Sequence, residues 1–210
     1  MEELDLLKKD WQKNDHSFGQ FSESEIGKML HKKSSSIVKW ILFISILELI
    51  LWTTVSFCFN SDAYFKSLNH DEVFVVLRCL TYFNYGVIGF FIYLFYKNYQ
   101  RISTTVSTKQ LMKDILKTRK SVQYYVWFNL GMIFLSFLIG IFFAFAYNSE
   151  ILVLKEKIAQ SRMVLIVIVT ILIFAIACIL GVFWLFYRLI YGILLRKLNN
   201  NYQELKKIDL

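Results

Sequence analysis

Two ionisable side chains inside long apolar stretches are the residues best placed to do chemistry. Glu48 lies near the middle of the apolar run 37–59, and Arg78 lies near the start of the next run, 73–96. An ionisable side chain near the centre of a bilayer is costly, so it marks a functional site by default. At about 1.5 Å per helical residue, Glu48 lies roughly 15 Å and Arg78 roughly 8 Å from the ends that join these runs. We therefore predict an intramembrane charge pair between Glu48 and Arg78. The alternative is a carboxylate in a water-filled path that binds protons or cations.

The remaining side chains form no pattern typical of an enzyme. All three histidines, His16, His31 and His70, lie outside the long apolar runs, and the three cysteines form no Cys-x-x-Cys pair. A membrane oxygenase or hydrolase needs several histidines or carboxylates around a metal ion. The chain also lacks a glycine-rich phosphate loop, a nucleophile elbow and a zinc-protease motif. The sequence predicts no catalytic residues, no metal, no cofactor and no disulfide.

Four apolar runs must position Glu48. The chain has 210 residues, is 56% hydrophobic and 18% aromatic, and contains no proline. About 20 mainly apolar residues cross a hydrocarbon core, and backbone polar groups in lipid must be paired inside the spanning segment. We predict an all-α integral membrane protein with a four-helix transmembrane domain over 37–195. The spans are expected at 37–59, 73–96, 122–147 and 163–187.

Lysine and arginine are unevenly distributed between the two ends of the spans. Nineteen of the 24 lie before residue 40, within 97–120 or after residue 187, and four lie in the two other connections. The positive-inside rule places both termini and the basic loop 97–121 in the cytoplasm. Residues 1–36 then form a cytoplasmic segment with amphipathic helices, and 196–210 form a cytoplasmic tail. Tryptophans and tyrosines near this boundary are predicted interfacial anchors: Trp40, Tyr96, Tyr99, Tyr124, Tyr125, Trp127, Tyr187 and Tyr191.

Small residues recur every four positions on the third and fourth spans. Such faces let transmembrane helices approach closely. We predict helix packing within the chain at these positions, with a contact between two copies, a homo-oligomer, as the alternative. The residues are Ser136, Gly140, Ala144, Ala177 and Gly181.

The two halves of the chain resemble each other. Residues 94–97, Leu-Phe-Tyr-Lys, are matched 91 positions later by Leu-Phe-Tyr-Arg at 185–188. Two tandem helix-hairpin repeats would explain the match, and so would the basic flank that every span needs at this boundary.

The amino-terminal segment has the pattern of a protein-binding helix. Leu4, Leu7 and Trp11 fall on one face at helical spacing, and Phe18 and Phe21 follow. Residues 1–25 hold seven acids and three lysines, a charge of −4. The anionic inner leaflet repels such a segment, so its apolar face needs a protein surface. That surface is either the chain's own basic connection or another polypeptide with a basic groove.

The same residues carry a resemblance to a known family. Residues 4–11, Leu-Asp-Leu-Leu-Lys-Lys-Asp-Trp, and residues 25–40, Glu-Ile-Gly-Lys-Met-Leu-His-Lys-Lys-Ser-Ser-Ser-Ile-Val-Lys-Trp, resemble small four-span membrane proteins of the Bacteroidetes. The resemblance implies frequent encoding beside extracytoplasmic-function sigma factors, and some relatives carry an automatic label of beta-carotene monooxygenase. Carotene-cleaving membrane enzymes use several intramembrane histidines, which this chain lacks. The resemblance therefore implies an amino terminus that holds a sigma factor at the membrane, as an anti-sigma factor does.

These patterns favour a non-enzymatic regulatory or scaffold protein. Its expected partners are the lipid bilayer and a cytoplasmic protein such as a sigma factor. The net charge of +8 reflects the cytoplasmic flanks and does not predict nucleic-acid binding. A small proton-coupled transporter or channel that uses Glu48 is the alternative function.

Overall fold

Four long helices contain most of the described residues. The structure is a computed structural model that describes residues 23–58, 71–105, 107–147, 151, 156–158 and 160–208. The helices are α1 (Glu23–Cys58), α2 (Asp71–Thr104), α3 (Thr108–Tyr147) and α4 (Arg162–Ile208). Each is long and apolar enough to span a membrane, which confirms the predicted all-α four-span class. The absence of proline in the sequence lets such long helices run without a break.

The helices are arranged as a ring in which each packs against two neighbours. Helices α1 and α3 both pack against α2 and α4 and contact each other little. We call the end at which α1 begins, α2 meets α3 and α4 ends the basic end, because the lysine-rich segments lie there. The opposite end is where α1 finishes and α2 begins.

The helices extend well beyond the predicted spans at the basic end. Helix α2 continues to Thr104 and α3 begins at Thr108, so the connection predicted as a loop over 97–121 is almost entirely helical. Helix α1 likewise begins fourteen residues before the predicted first span. The helices of 34 to 47 residues are about 50 to 70 Å long, well above a hydrocarbon core of about 30 Å. The bundle therefore continues past the predicted membrane region at this end.

Two apolar clusters hold the bundle together. The cluster nearer the basic end contains Leu30, Ile102, Ile115 and Leu198, all at most 3% exposed. These residues explain why the lysine-rich connection is helical, since its apolar side chains recur on one buried helical face. The other cluster lies within the predicted membrane region and contains Ile41, Ile88, Phe95, Val122, Tyr125, Leu130, Tyr187 and Tyr191. Large apolar side chains cover the outer surface there, as lipid requires.

The small residues of the third and fourth spans do not bring helices close together in this fold. A Cβ atom added at Gly140 or Gly181 would meet nothing within 4 Å. Ser136 and Ala177 are exposed, and Ala144 is partly exposed. The alternative use of this face, a contact with a second copy, stays a prediction.

Candidate functional site

Glu48 is the centre of a polar cluster inside the bundle. Its side chain is 8% exposed and accepts hydrogen bonds from three tyrosines on two other helices. The Tyr125 hydroxyl donates to Oε2 at 2.8 Å, and the Tyr191 hydroxyl donates to the same oxygen at 3.2 Å. The Tyr187 hydroxyl donates to Oε1. A buried carboxylate needs such donors because it has lost its water. We call these four residues the Glu48 site.

Aromatic packing fixes the three hydroxyl groups in place. Tyr187 and Tyr191 are one turn apart on α4 and stack with their ring centroids 6.1 Å apart. Tyr125 on α3 meets the Tyr191 ring edge-on at 5.9 Å. It also contacts the rings of Phe91 and Phe95 on α2 at 5.4 and 5.5 Å. All four helices therefore contribute to the geometry around the carboxylate, which makes the site sensitive to any shift of one helix against another.

Arg78 lies far from this cluster. Phe91 marks the level of the Glu48 site on α2, because its ring contacts Tyr125. Arg78 precedes Phe91 by thirteen residues, or about 20 Å along the helix axis, and its side chain is exposed. The structure does not bring Arg78 and Glu48 together, and hydroxyl groups occupy the positions expected for the guanidinium. Depths counted from the joined ends of the two spans are comparable only if those ends are level, and the contact of Phe91 with Tyr125 shows that they are not.

Sequence reasoning placed the three tyrosines of the site at the membrane interface. Tyr125, Tyr187 and Tyr191 are in fact at most 3% exposed and belong to the interior. Other predicted anchors do face outward, since Trp40 is 56% and Trp127 is 69% exposed. Tyrosine near the end of a span is compatible with either position. The available signal was spacing, because two tyrosines four residues apart on one span share a face with room for a common acceptor.

A cavity of about 450 Å³ lies between the Glu48 site and the opposite end of the bundle. All four helices line it, and Tyr187 is shared between the cavity wall and the site. Its polar lining includes Asn84 and Asn129. Asn129 donates to the Tyr125 carbonyl of its own helix at 2.9 Å. Within the described part of the chain, the buried Asn84 Oδ1 has no hydrogen-bond partner. We call this space the outer cavity.

The residues predicted to bind a partner lie outside the described part of the chain: Leu4, Leu7, Trp11, Phe18 and Phe21. Among residues that the structure does describe, no three His, Cys, Asp or Glu side chains are grouped so that they could hold a metal ion. The Glu48 site itself consists of one carboxylate and three hydroxyl donors.

Comparison with known proteins gives one family. A family described as Domain of unknown function (DUF8845) matches residues 24–210, which include every residue of the Glu48 site. The chain belongs to this family. No curated protein and no solved structure matched it. The DUF8845 match begins one residue after the start of α1, so the acidic amino-terminal segment lies outside it.

Proposed function

We propose that this DUF8845 protein is a non-enzymatic regulator in a bacterial inner membrane, with both termini in the cytoplasm. In this proposal the Glu48 site controls how the acidic amino-terminal segment holds a cytoplasmic protein. The positive-inside rule supports the orientation, because the basic end carries most of the lysine and arginine residues.

One observation carries the proposal, namely that α1 and α4 are linked by hydrogen bonds at two distant levels. At one level Glu48 accepts hydrogen bonds from Tyr187 and Tyr191. Fourteen residues closer to the basic end, Asn201 Nδ2 donates to Ser34 Oγ at 3.1 Å. Both helices are unbroken between these levels, so about 21 Å of rigid helix joins them. Packed helix interfaces shift between discrete arrangements by about 1–2 Å, so a change at the carboxylate reaches the basic end.

The acidic amino-terminal segment, residues 1–22, precedes α1 directly in the sequence. Leu4, Leu7 and Trp11 would form the apolar contact with the partner, and buried tryptophan is a frequent energetic anchor of interfaces. The surrounding acids favour a partner with a basic groove. The resemblance to proteins encoded beside sigma factors makes a sigma factor the first candidate to test.

The outer cavity gives a stimulus a route to the Glu48 site. Tyr187 lines the cavity and also donates to the carboxylate, so a ligand that displaces its ring would remove one donor. Such a ligand shifts the equilibrium only if it binds the two arrangements with different affinity.

Site-specific photocrosslinking in native membranes tests the proposal. A photoreactive amino acid replaces Leu7 in the full chain, and the control carries it at Lys9, on the other face of the predicted helix. We expect one dominant protein adduct from position 7 and little adduct from position 9. In the Glu48→Gln variant, the yield of the adduct from position 7 should change. Equal yields from both positions would contradict partner capture. An unchanged yield in Glu48→Gln would contradict control by the site.

A second candidate function is proton-coupled transport through the Glu48 site. The outer cavity favours it, because a carboxylate beneath an intramembrane cavity is a common plan for a coupling site. A path onward to the basic end would have to cross Ile41, Phe95 and Val122, whose side chains are 0% exposed. This apolar layer favours regulation over transport. Proton-driven substrate uptake into liposomes that Glu48→Gln abolishes would reverse the preference.

A further inference from the structure

The seam between α1 and α4 carries two adjoining pockets on the outer surface of the bundle. One is a polar pocket of about 480 Å³ near the basic end, lined by Lys33, Lys197 and Glu204. The other is an almost wholly apolar groove of about 270 Å³ further into the membrane region, with Leu51 and Phe186 on its walls. We call the two together the α1–α4 seam.

The charges of the polar pocket are ordered along the bundle axis. The hydrogen-bonded pairs Glu48–Tyr187 and Ser34–Asn201 set the register of the two helices. On this register Lys197 is the innermost charge, Lys33 lies about 8 Å further out, and Glu204 lies about 3 Å beyond that. Two cations therefore precede one carboxylate on the way out of the membrane.

None of these three charges is used within the described part of the chain. Lys33, Lys197 and Glu204 are exposed, and no hydrogen bond or ion pair among the described residues engages them. Three charged side chains around one pocket can therefore all bind a ligand without breaking an existing contact.

The distance from the polar pocket to the inner end of the apolar groove is close to the thickness of one membrane leaflet. Trp40 lines the polar pocket and is 56% exposed, which is typical of a tryptophan at the membrane interface. The groove ends at Trp52, whose ring meets Phe183 at 5.9 Å. Trp40 and Trp52 are twelve residues apart, or about 18 Å, against about 15 Å for half of a hydrocarbon core. A lipid acyl chain that starts at the polar pocket would therefore fill the groove.

We propose that the α1–α4 seam binds a phospholipid whose headgroup carries a phosphate and a primary ammonium group, the chemistry of phosphatidylethanolamine. Lys197 and Lys33 bind the phosphate, Glu204 accepts hydrogen bonds from the ammonium, and one acyl chain lies along the groove. The groove is also lined by Glu48 and Tyr187, so the acyl chain contacts the Glu48 site. This inference does not depend on partner capture, and its test measures lipid binding alone.

The pocket distinguishes this headgroup from two common alternatives. An anionic headgroup without an ammonium, such as phosphatidylglycerol, leaves Glu204 beside a phosphate of the same charge. The quaternary ammonium of phosphatidylcholine has no N–H group, so it cannot donate to the carboxylate. The order of charges in the pocket therefore favours the primary ammonium.

Native mass spectrometry of the full chain tests the proposal. The protein is incubated with an equimolar mixture of phosphatidylethanolamine, phosphatidylglycerol and phosphatidylcholine, and the retained lipid adducts are counted. We expect phosphatidylethanolamine to dominate. Lys33→Gln and Lys197→Gln should each lower its retention about fivefold, the effect of one lysine near a lipid surface. Lys39→Gln is the matched control, because Lys39 is an exposed lysine of α1 outside the pocket.

Further variants separate the headgroup from the acyl chain. Glu204→Gln should remove the preference for phosphatidylethanolamine over phosphatidylglycerol. Leu51→Trp should fill the groove and lower retention, whereas Gly131→Leu, in a different groove between α3 and α4, should not. Soluble glycerophosphoethanolamine, at the same concentration as the lipid, should not displace phosphatidylethanolamine, because it lacks the acyl chain.

Three results would overturn the proposal. The first is equal retention of the three phospholipids by the native chain. The second is retention in Lys33→Gln and Lys197→Gln that matches Lys39→Gln. The third is competition by glycerophosphoethanolamine as strong as that by the intact lipid, which would show that the groove is not part of the site.

Discussion

Replacement of Tyr125 by phenylalanine removes one hydroxyl donor from the Glu48 site. The hydroxyl donates to Glu48 Oε2 at 2.8 Å. The ring is fully buried among Phe91, Phe95 and Tyr191, and phenylalanine keeps all three ring contacts. The substitution therefore removes a donor without opening a cavity.

The expected effect follows from the type of acceptor. A hydrogen bond to a charged group contributes about 1.5–3 kcal/mol to stability, whereas hydrogen bonds between membrane helices average about 0.6 kcal/mol. We expect Tyr125→Phe to lower the free energy of unfolding by about 1.5–3 kcal/mol. Tyr191→Phe should have a smaller effect, because its hydroxyl is 3.2 Å from the carboxylate.

Denaturant unfolding of the purified protein in micelles gives these free energies. Tyr124→Phe is the matched control, because Tyr124 is the neighbouring residue on α3 and its side chain is 57% exposed. A double-mutant cycle with Glu48→Gln should show a coupling energy within about 0.5–3 kcal/mol. Strictly additive effects, or a loss in Tyr125→Phe no larger than in Tyr124→Phe, would refute the hydrogen bond to the carboxylate.

Three further predictions concern the rest of the bundle. Asn201→Ala should lower the unfolding free energy by about 1 kcal/mol, because it loses the hydrogen bond to α1. In the same denaturant titration, Asn200→Ala should leave the unfolding free energy unchanged, because Asn200 is exposed. Cys58, at the opposite end of α1, should react with a membrane-impermeant maleimide in intact cells, whereas a cysteine introduced as Lys207→Cys should react only after permeabilisation. Labelling in the reverse pattern would invert the proposed orientation. Gly140→Leu should leave the unfolding free energy unchanged, because a Cβ atom at this position would meet nothing within 4 Å. A change in the oligomeric mass of this variant would reveal a contact between two copies.

The sequence predicted the class of fold better than the limits of its helices. Apolar runs longer than about 20 residues leave few alternatives to spanning helices, so the four spans could be recognised. The lysine-rich connection was interpreted as a loop because its charges conceal the buried face that Ile102 and Leu111 form. Such a face can be recognised in the sequence, but only from apolar residues at every third and fourth position between the charged residues.

The carboxylate could be found from the sequence, and its partners could not. Glu48 stands out because acids are rare in spans. Its partners depend on the register of α1 against α3 and α4, which is set by side-chain packing across the whole bundle. Arg78 was chosen by charge and sequence proximity, whereas Tyr187 and Tyr191 lie more than 130 residues away in the chain. Long-range packing of this kind has no local signal.

A reversible disulfide crosslink between α1 and α4 tests the central claim most directly. The claim is that the Glu48 site acts on the amino terminus through a movement of α1. Ser34→Cys and Asn201→Cys are introduced together after the three native cysteines are replaced by alanine, because the two side chains already touch. Partner crosslinking from position 7 is then compared between chains with Glu48 and with Glu48→Gln, oxidised and reduced. The account predicts that Glu48→Gln changes the yield of partner crosslinking only when the disulfide is reduced. An equally large change in the oxidised protein would contradict it.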